Sequence, residues 1–300
     1  MPSQIKVTFL GTSDQIPSAD RNHTAILLSY EGENILIDCG EGTQRQFRKA
    51  GLNPCKLTRI LITHWHGDHV LGIPGILSTL ALQGYNKTLH IYGPKGTKEF
   101  MEELLKVFGF KKKYEIKVEE VHGKFLDMKD FYLEAEKMEH GIPCNSYNFV
   151  KKGFLKIDKT KLKKLKLPEG SHLAELKNGK DIVFNGKKYK AKELTFSENE
   201  KKVSVILDTK FNSKIEEFSK NSDLLILESS FSDELAEQAK EHLHMTAKQA
   251  AQAAKKAKAK KLILTHLSQR YEKAPQIILK EAKKIFGSVA IAKDFDVFEV

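Results

Sequence analysis

A dense group of metal-binding side chains lies early in the chain, directly after a short apolar run. Residues 64–69 are His64, Trp65, His66, Gly67, Asp68 and His69. Three imidazoles and one carboxylate within these six positions suit zinc or a similar divalent ion. Ligands packed this closely cannot all surround one tetrahedral ion, so the spacing indicates two ions. The alternative is a solvated polar loop in which the histidines occur by chance.

Three more metal-capable residues each follow a strand-like apolar run. They are His140 after residues 131–138, Asp208 after residues 202–207, and His266 after residues 262–264. One histidine at a strand end is more often structural, but this set favours a site assembled on loops by a rigid scaffold. Cys144 lies near His140 and is a further candidate ligand, although a small buried thiol is the favoured interpretation.

The elements that must position these residues alternate between strands and helices, which indicates an α/β protein. Predicted strands are residues 5–10, 24–29, 34–38, 56–63, 89–92, 114–121, 131–138, 147–150, 202–207, 223–227 and 262–264, with more strands in 289–300. Predicted helices are residues 42–50, 70–83, 97–108, 213–219, 247–260 and 275–286. Thr246 and Gln249 fit a capping box at the start of one helix. The pattern predicts two similar sheet-containing halves packed face to face, with helices outside.

Composition limits the class of protein. The chain has 300 residues, a formal net charge of +11 and an ordinary hydrophobic fraction of 40%. No apolar run reaches the roughly 20 residues of a membrane span, and the first residues lead into a strand rather than a signal peptide. The three cysteines are too few for a disulfide framework and favour a reducing cytoplasm.

Most of the net positive charge lies in one segment. Residues 151–190 contain 13 lysines and four acidic residues, a local charge of +9. Such a segment suits an anionic partner. We expect residues 151–195 to form a projecting lysine-rich arm inserted into a single domain of residues 1–300. The alternative is an ordinary solvated surface.

The order of the candidate ligands resembles that of the metallo-β-lactamase superfamily, which has His-x-His-x-Asp-His followed by a distant His, an Asp and a His. The resemblance implies a four-layer αβ/βα sandwich holding two Zn²⁺ per subunit, with Mn²⁺ as an alternative. One ion would be held by His64, His66 and His140, the other by Asp68, His69 and His266, with Asp208 as a bridge.

Further motifs resemble the ribonuclease Z family over essentially the whole chain. The matching segments are residues 9–13, 17–22, 38–43, 71–77, 228–231, 244–246 and 264–271. The resemblance implies a cytoplasmic, commonly homodimeric endoribonuclease that removes the 3′ trailer from precursor tRNA. It would cut after the discriminator base and leave a tRNA 3′-hydroxyl and a 5′-phosphate on the trailer.

The family resemblance also implies roles for individual residues. Asp68 would accept a proton from the attacking water, and His244, supported by Glu228, would donate one to the leaving oxygen. Substrate contacts would come from Arg21, Asn22, Arg270 and the arm lysines Lys161, Lys163, Lys164 and Lys166. Ala19 stands where the family loop has lysine, so the treatment of precursors that carry CCA stays open.

Two other functions compete with this one. A general metallo-phosphodiesterase of the same superfamily would use the same ligands, but a small substrate has no use for a lysine-rich arm. A non-catalytic RNA-binding paralogue would be free to lose several ligands, whereas this chain keeps the full set together with Glu228 and His244.

Overall fold

The structure is a computed structural model that describes residues 4–111, 113–168 and 170–300. The chain divides into two compact units. The larger comprises Met1–Asp127, Leu133–Phe149 and Lys202–Val300, and the smaller comprises Met128–Tyr132 and Val150–Lys201.

Strands and helices alternate along the described chain. The strands are β1 (Lys6–Gly11), β2 (Ala25–Tyr30), β3 (Glu33–Ile37), β4 (Arg59–Leu61), β5 (Leu89–Gly93), β6 (Ile116–Glu120), β7 (Gly123–Asp127), β8 (Phe131–Met138), β9 (Cys144–Lys151), β10 (Phe154–Ile157), β11 (Ile182–Phe184), β12 (Lys187–Tyr189), β13 (Thr195–Glu198), β14 (Lys201–Ile206), β15 (Leu224–Glu228), β16 (Leu262–Thr265), β17 (Val289–Ile291) and β18 (Val297–Glu299). The helices are α1 (Thr43–Lys49), α2 (Gly67–Val70), α3 (Ile73–Leu82), α4 (Thr97–Val107), α5 (Lys159–Lys164), α6 (Leu173–Lys177), α7 (Ala191–Leu194), α8 (Ser213–Phe218), α9 (Ala236–Glu241), α10 (Ala247–Lys256) and α11 (Gln276–Lys283).

Two seven-stranded sheets form the larger unit. Their strand orders are β18-β1-β2-β3-β4-β5-β6 and β17-β16-β15-β14-β9-β8-β7. Strands β3 to β6 run parallel in the first sheet, and β14 to β17 run parallel in the second. The carboxyl ends of neighbouring parallel strands meet at one edge, which is where ligands bind in such sheets.

Helices cover one face of each sheet, because the strands are apolar on both faces and need cover on both. Helices α1, α3 and α4 pack on the first sheet, and α8, α10 and α11 pack on the second. The opposite faces meet each other, and the Tyr147 hydroxyl of β9 donates to the Ile62 carbonyl after β4 at 2.6 Å. This layering confirms the predicted four-layer αβ/βα sandwich.

Some predicted elements differ from those observed. The helix expected over residues 70–83 is two helices, α2 and α3, separated at Gly72. A Cβ at Gly72 would lie 2.1 Å from the Gly40 carbonyl oxygen, so the chain makes a close backbone approach there. The strand expected over residues 56–63 is the shorter β4, preceded by a 3-10 turn at Pro54–Lys56. Strand β7 and helix α9 have weak apolar periodicity and were not predicted.

The smaller unit has a hydrophobic core of its own. It contains the antiparallel pairs β10–β13 and β11–β12 together with α5, α6 and α7. The buried residues of its core are Leu162, Leu167, Leu173, Leu176, Ile182, Ala191 and Leu194. This core gives the lysine-rich segment regular structure, although its expected role as an arm stays a prediction.

No helix within residues 4–111, 113–168 and 170–300 is both long enough and apolar enough to cross a bilayer. Cys39, Cys55 and Cys144 are free thiols.

Helix α10 begins at the predicted capping box. The Thr246 hydroxyl accepts from the Gln249 backbone N–H at 3.2 Å, and the Gln249 side chain accepts from the Thr246 N–H at 3.0 Å. The cap fixes the start of the helix two residues after His244.

We expect Thr246→Ala to lower the free energy of unfolding by about 1 kcal/mol, since it removes the cap oxygen. Thr246→Ser keeps that oxygen and is the control. Urea unfolding of the two metal-free variants measures the difference, and equal losses for both would contradict a capping role.

Candidate metal centre

Four of the predicted ligands come together because each follows the carboxyl end of a strand. His64 follows β4, His140 follows β8, Asp208 follows β14, and His266 follows β16. His69 lies in the short helix α2 that begins beyond β4. A cavity of about 230 Å³ opens onto the group.

Three imidazoles form the first ligand group. The His66 Nδ1 atom lies 3.1 Å from His64 Nε2 and 3.2 Å from His140 Nε2. Three nitrogens that point at one another suit a shared cation. His64 is fully buried, and His66 and His140 are half-buried.

A second group consists of Asp68, His69 and His266. The Asp68 Oδ2 atom lies 3.2 Å from His69 Nε2 and 3.4 Å from His266 Nε2. The two imidazole nitrogens are themselves 3.3 Å apart. All three side chains are buried.

Asp208 lies between the two groups and presents one carboxylate oxygen to each. Its Oδ2 atom is 3.6 Å from His64 Nε2. Its Oδ1 atom is 3.4 Å from His69 Nε2 and 3.2 Å from His266 Nε2. Among the described residues, the buried Oδ1 atom accepts no hydrogen bond of good geometry. A buried carboxylate oxygen in that condition fits a metal ligand, because a cation would satisfy it.

The electrostatics of the site suit a divalent ion. Burial and the neighbouring His69 lower the pKa of His64 well below its usual value. Burial opposes ionisation of Asp68, but hydrogen bonds from His266 and His69 outweigh it and lower the carboxyl pKa. Neutral imidazoles and ionised carboxylates are the protonation states that bind metals.

His69 and His266 show the opposite tendency. Burial disfavours their charged forms, but the charge of Asp208 outweighs it and raises both pKa values. The same negative potential that favours a proton on these nitrogens favours a divalent cation between them.

Hydrogen bonds behind the ligands fix their orientation. The His69 Nδ1 atom lies 2.7 Å from Asp38 Oδ2, and Asp38 also accepts from the Thr63 backbone N–H and hydroxyl, each at 2.7 Å. The Thr63 hydroxyl lies 3.0 Å from His64 Nδ1. Outer partners of this kind set the tautomer of metal-binding histidines.

A histidine–carboxylate pair adjoins both ligand groups. The His244 Nδ1 atom lies 3.0 Å from each Glu228 oxygen, and His244 Nε2 lies 4.0 Å from Asp208 Oδ2. Burial disfavours the charged imidazole, but Glu228 outweighs it and raises the pKa of His244 to about 9. This arrangement favours a protonated imidazole beside the candidate metal ligands.

The predicted substrate-binding residues are dispersed. Arg21 is only 8% exposed, and its Nη1 atom donates to the Thr12 hydroxyl and the Ala292 carbonyl, each at 2.7 Å. Its guanidinium therefore braces the loop, and a substrate contact for Arg21 stays a prediction. The Asn22 amide likewise donates to the Glu41 carbonyl at 2.7 Å.

Arg270 and the four arm lysines are exposed, although two of them have partners: Arg270 Nη1 donates to Gln238 Oε1 at 3.4 Å, and Lys161 Nζ donates to the Glu193 carbonyl at 3.0 Å. The exposed Arg270 guanidinium lies 5.1 Å from the centre of the Phe231 ring and lines the cavity of the metal centre. The arm lysines are all exposed on the smaller unit: Lys161, Lys163, Lys164 and Lys166.

Sequence reasoning missed several residues around the centre. Asp38 and Ser230 lie in segments matched to the family but were given no role, and His242 lines the cavity beside Phe231. The spacing of His242 two residues before His244 could have indicated it. Cys144 is buried, and its thiol donates to the Asp208 backbone oxygen at 3.5 Å, which favours the buried-thiol interpretation.

Comparison with known proteins gives a consistent picture. Residues 5–281 match the family model described as anti-Pycsar protein Apyc1. The chain is 37% identical over 300 residues to ribonuclease Z of Methanosarcina acetivorans, covering 99% of this chain and 98% of that protein. It is 39% identical over 310 residues to ribonuclease Z of Listeria monocytogenes, covering 99% of each.

Two solved structures are similar to this chain over nearly its whole length. The short form of human tRNase Z is 28% identical, with a TM-score of 0.71 over 98% of each chain. The metallo-β-lactamase fold protein YhfI of Bacillus subtilis is 23% identical, with a TM-score of 0.72 over 99% of this chain and 100% of that one, which shows the shared fold.

We expect Asp38→Asn to weaken zinc binding about 10- to 100-fold, the usual effect of losing an outer-shell partner. Asp38 accepts three hydrogen bonds, and an amide would turn an N–H toward one of those donors. Asparagine tolerates the left-handed backbone of this position, where φ is 56°. Competition with a chromophoric chelator measures the affinity, and an unchanged zinc affinity would contradict the role given to Asp38.

Proposed function

We propose, from the premise that this chain belongs to the ribonuclease Z family and matches the Apyc1 family model, that its metal centre hydrolyses a phosphodiester bond of precursor tRNA. The chain is a tRNA 3′-processing endoribonuclease. The proposal extends to the position of the cut, which is after the discriminator base, and to the products, a tRNA 3′-hydroxyl and a 5′-phosphorylated trailer.

The observation that carries this function is the position of His244. A protonated imidazole held by Glu228 lies 4.0 Å from Asp208, beside both ligand groups. Release of an alkoxide from phosphorus needs a proton or a metal, and a histidine oriented by a carboxylate supplies the proton. A site that only bound metal would have no use for such a donor.

Two divalent ions fit the seven ligands. His64, His66 and His140 would hold one, Asp68, His69 and His266 the other, and Asp208 would contact both. Bound there, the ions would lower the pKa of a coordinated water and stabilise charge on the phosphoryl group. Asp68 would accept the proton of the attacking water. Zinc is the metal we propose, and manganese also suits nitrogen and carboxylate ligands.

Positive charge on the smaller unit supports a large RNA substrate. Its lysines would contact phosphates and so provide affinity and orientation without reading sequence. An RNA helix recognised by shape suits an enzyme that acts on many tRNAs. We further propose a homodimer, as in the family resemblance. We also propose a cytoplasmic setting, which the free cysteines support.

A general phosphodiesterase is the second candidate function. The match to the Apyc1 family model over residues 5–281 favours it, because the chain then resembles a second family besides ribonuclease Z. The two functions differ in what the lysine-rich unit contributes.

Cleavage of an end-labelled precursor tRNA by the purified protein tests the proposal. We expect one product ending at the discriminator base, lost with Asp68→Ala and after chelation. If the protein instead hydrolyses bis(p-nitrophenyl) phosphate but not precursor tRNA, in zinc and in manganese, that result would contradict the proposal and favour the general phosphodiesterase.

Neutralising the four arm lysines should raise KM for precursor tRNA on the order of 10-fold, since exposed charge contacts are worth about 0.2–1 kcal/mol each. Turnover of a small phosphodiester should not change. The substitutions are Lys→Gln at Lys161, Lys163, Lys164 and Lys166.

A matched variant controls for net charge. It carries Lys→Gln at four exposed lysines of the larger unit: Lys255, Lys258, Lys283 and Lys284. An equal rise in KM for both variants would argue that the smaller unit has no special role in binding tRNA.

The pH profile tests the proton donor. Glu228 raises the pKa of His244, so Glu228→Gln should lower that pKa. Since the protonated imidazole is the active form, kcat of the variant should fall off at lower pH than kcat of the wild type. If the alkaline limbs of the two profiles coincide, His244 is not the donor.

A further inference from the structure

The Ser230 hydroxyl links the carboxylate of the proton donor to a ligand of the metal centre. Its Oγ atom lies 3.0 Å from Glu228 Oε2 and 2.9 Å from His266 Nδ1. Ser230 is only 2% exposed, so water cannot easily replace either contact.

The single hydroxyl proton of Ser230 determines the direction of these hydrogen bonds. A serine hydroxyl has one proton, and an ionised carboxylate can only accept. Two candidate acceptors compete for that proton, Glu228 Oε2 and the His266 backbone carbonyl, each at 3.0 Å. The charged acceptor is the stronger one, so the hydroxyl donates to Glu228. The Ser230 oxygen is then left to accept from His266 Nδ1–H.

This direction sets the tautomer of His266. An imidazole with its proton on Nδ1 carries its lone pair on Nε2. That nitrogen lies 3.2 Å from Asp208 Oδ1 and 3.4 Å from Asp68 Oδ2, inside the second ligand group. The opposite tautomer would place a proton where the metal must bind.

We propose that Ser230 is a positioning residue that transmits the orientation of Glu228 to His266, so that one carboxylate sets both the proton donor and a metal ligand. The proposal rests on the proposed function for the identity of the donor. Glu228 has the contacts for both tasks, since it also accepts from His244 and from the Thr209 backbone N–H.

Loss of the hydroxyl should act on one ligand group only. In Ser230→Ala, His266 Nδ1 loses its acceptor, and the imidazole is free to take the other tautomer or to rotate. The group of Asp68, His69 and His266 weakens. The group of His64, His66 and His140 has separate outer partners, the Thr63 hydroxyl and the Leu243 carbonyl.

The chain offers a matched control at the preceding position. Ser229 is also a fully buried serine, and its hydroxyl has no hydrogen-bond partner among the described residues. Ser229→Ala therefore removes the same atoms from the same strand end without breaking the link. Ser230→Thr keeps the hydroxyl and should restore what Ser230→Ala loses.

The first measurement is a zinc titration of the full-length protein against a chromophoric chelator. We expect Ser230→Ala to weaken one binding step about 10- to 100-fold and to leave the other unchanged. Ser229→Ala and Ser230→Thr should match the wild type. Thermal melting of each metal-free variant shows that it is folded.

The second measurement reads the tautomer directly. Two-bond ¹H–¹⁵N correlation spectra of the zinc-loaded protein distinguish Nδ1–H from Nε2–H imidazoles, and the His266→Ala variant assigns the signal. We expect His266 to be the Nδ1–H tautomer in the wild type and in Ser229→Ala, and a mixture in Ser230→Ala.

Identical zinc affinities and tautomers in Ser230→Ala and Ser229→Ala would overturn the proposal. Neither measurement uses RNA, so the result stands apart from the test of the proposed function. A wild type that failed to cleave precursor tRNA would refute that function and leave the link between Ser230 and His266 to be judged on its own data.

Discussion

The structure depends on one buried carboxylate held among imidazoles. Asp208 lies within 4.0 Å of nitrogens from four histidines: His64, His69, His244 and His266. Burying a carboxylate is costly unless it is paired or coordinates a metal. Because the ligands come from strands of both sheets, the centre cannot form until the two halves have packed together.

Backbone geometry is adapted to the same centre. Asp38, Leu243 and His266 adopt left-handed conformations with φ of 56°, 58° and 56°. Such conformations are costly for residues with a Cβ and cluster at functional sites. Gly40 also lies against the ligand loop, because a Cβ there would sit 2.2 Å from the Asp68 backbone oxygen. Local backbone strain at Asp38, Leu243 and His266 therefore accompanies the positioning of the side chains around the candidate metal centre.

The sequence allowed the fold and the ligand set to be predicted, because those signals are local. His64, His140, Asp208 and His266 each follow an apolar run, and the other three candidate ligands lie within five residues of His64. Contacts that depend on tertiary packing could not be predicted from the sequence. The sequence around Arg21 resembles a substrate-binding loop. In the structure, however, the Arg21 guanidinium donates hydrogen bonds to Thr12 and Ala292, which are far apart in the chain. The role of Ser230 likewise could not be predicted, because its contact with His266 forms only when the fold brings the end of β16 beside it.

Anomalous diffraction from zinc-loaded crystals tests most directly the proposal that Asp208 bridges two divalent ions. We expect two anomalous peaks about 3.5–4 Å apart, one in each ligand group, with one Asp208 oxygen toward each peak. A single peak, or a second peak out of reach of Asp208, would contradict the bridging role and the two-ion mechanism that depends on it.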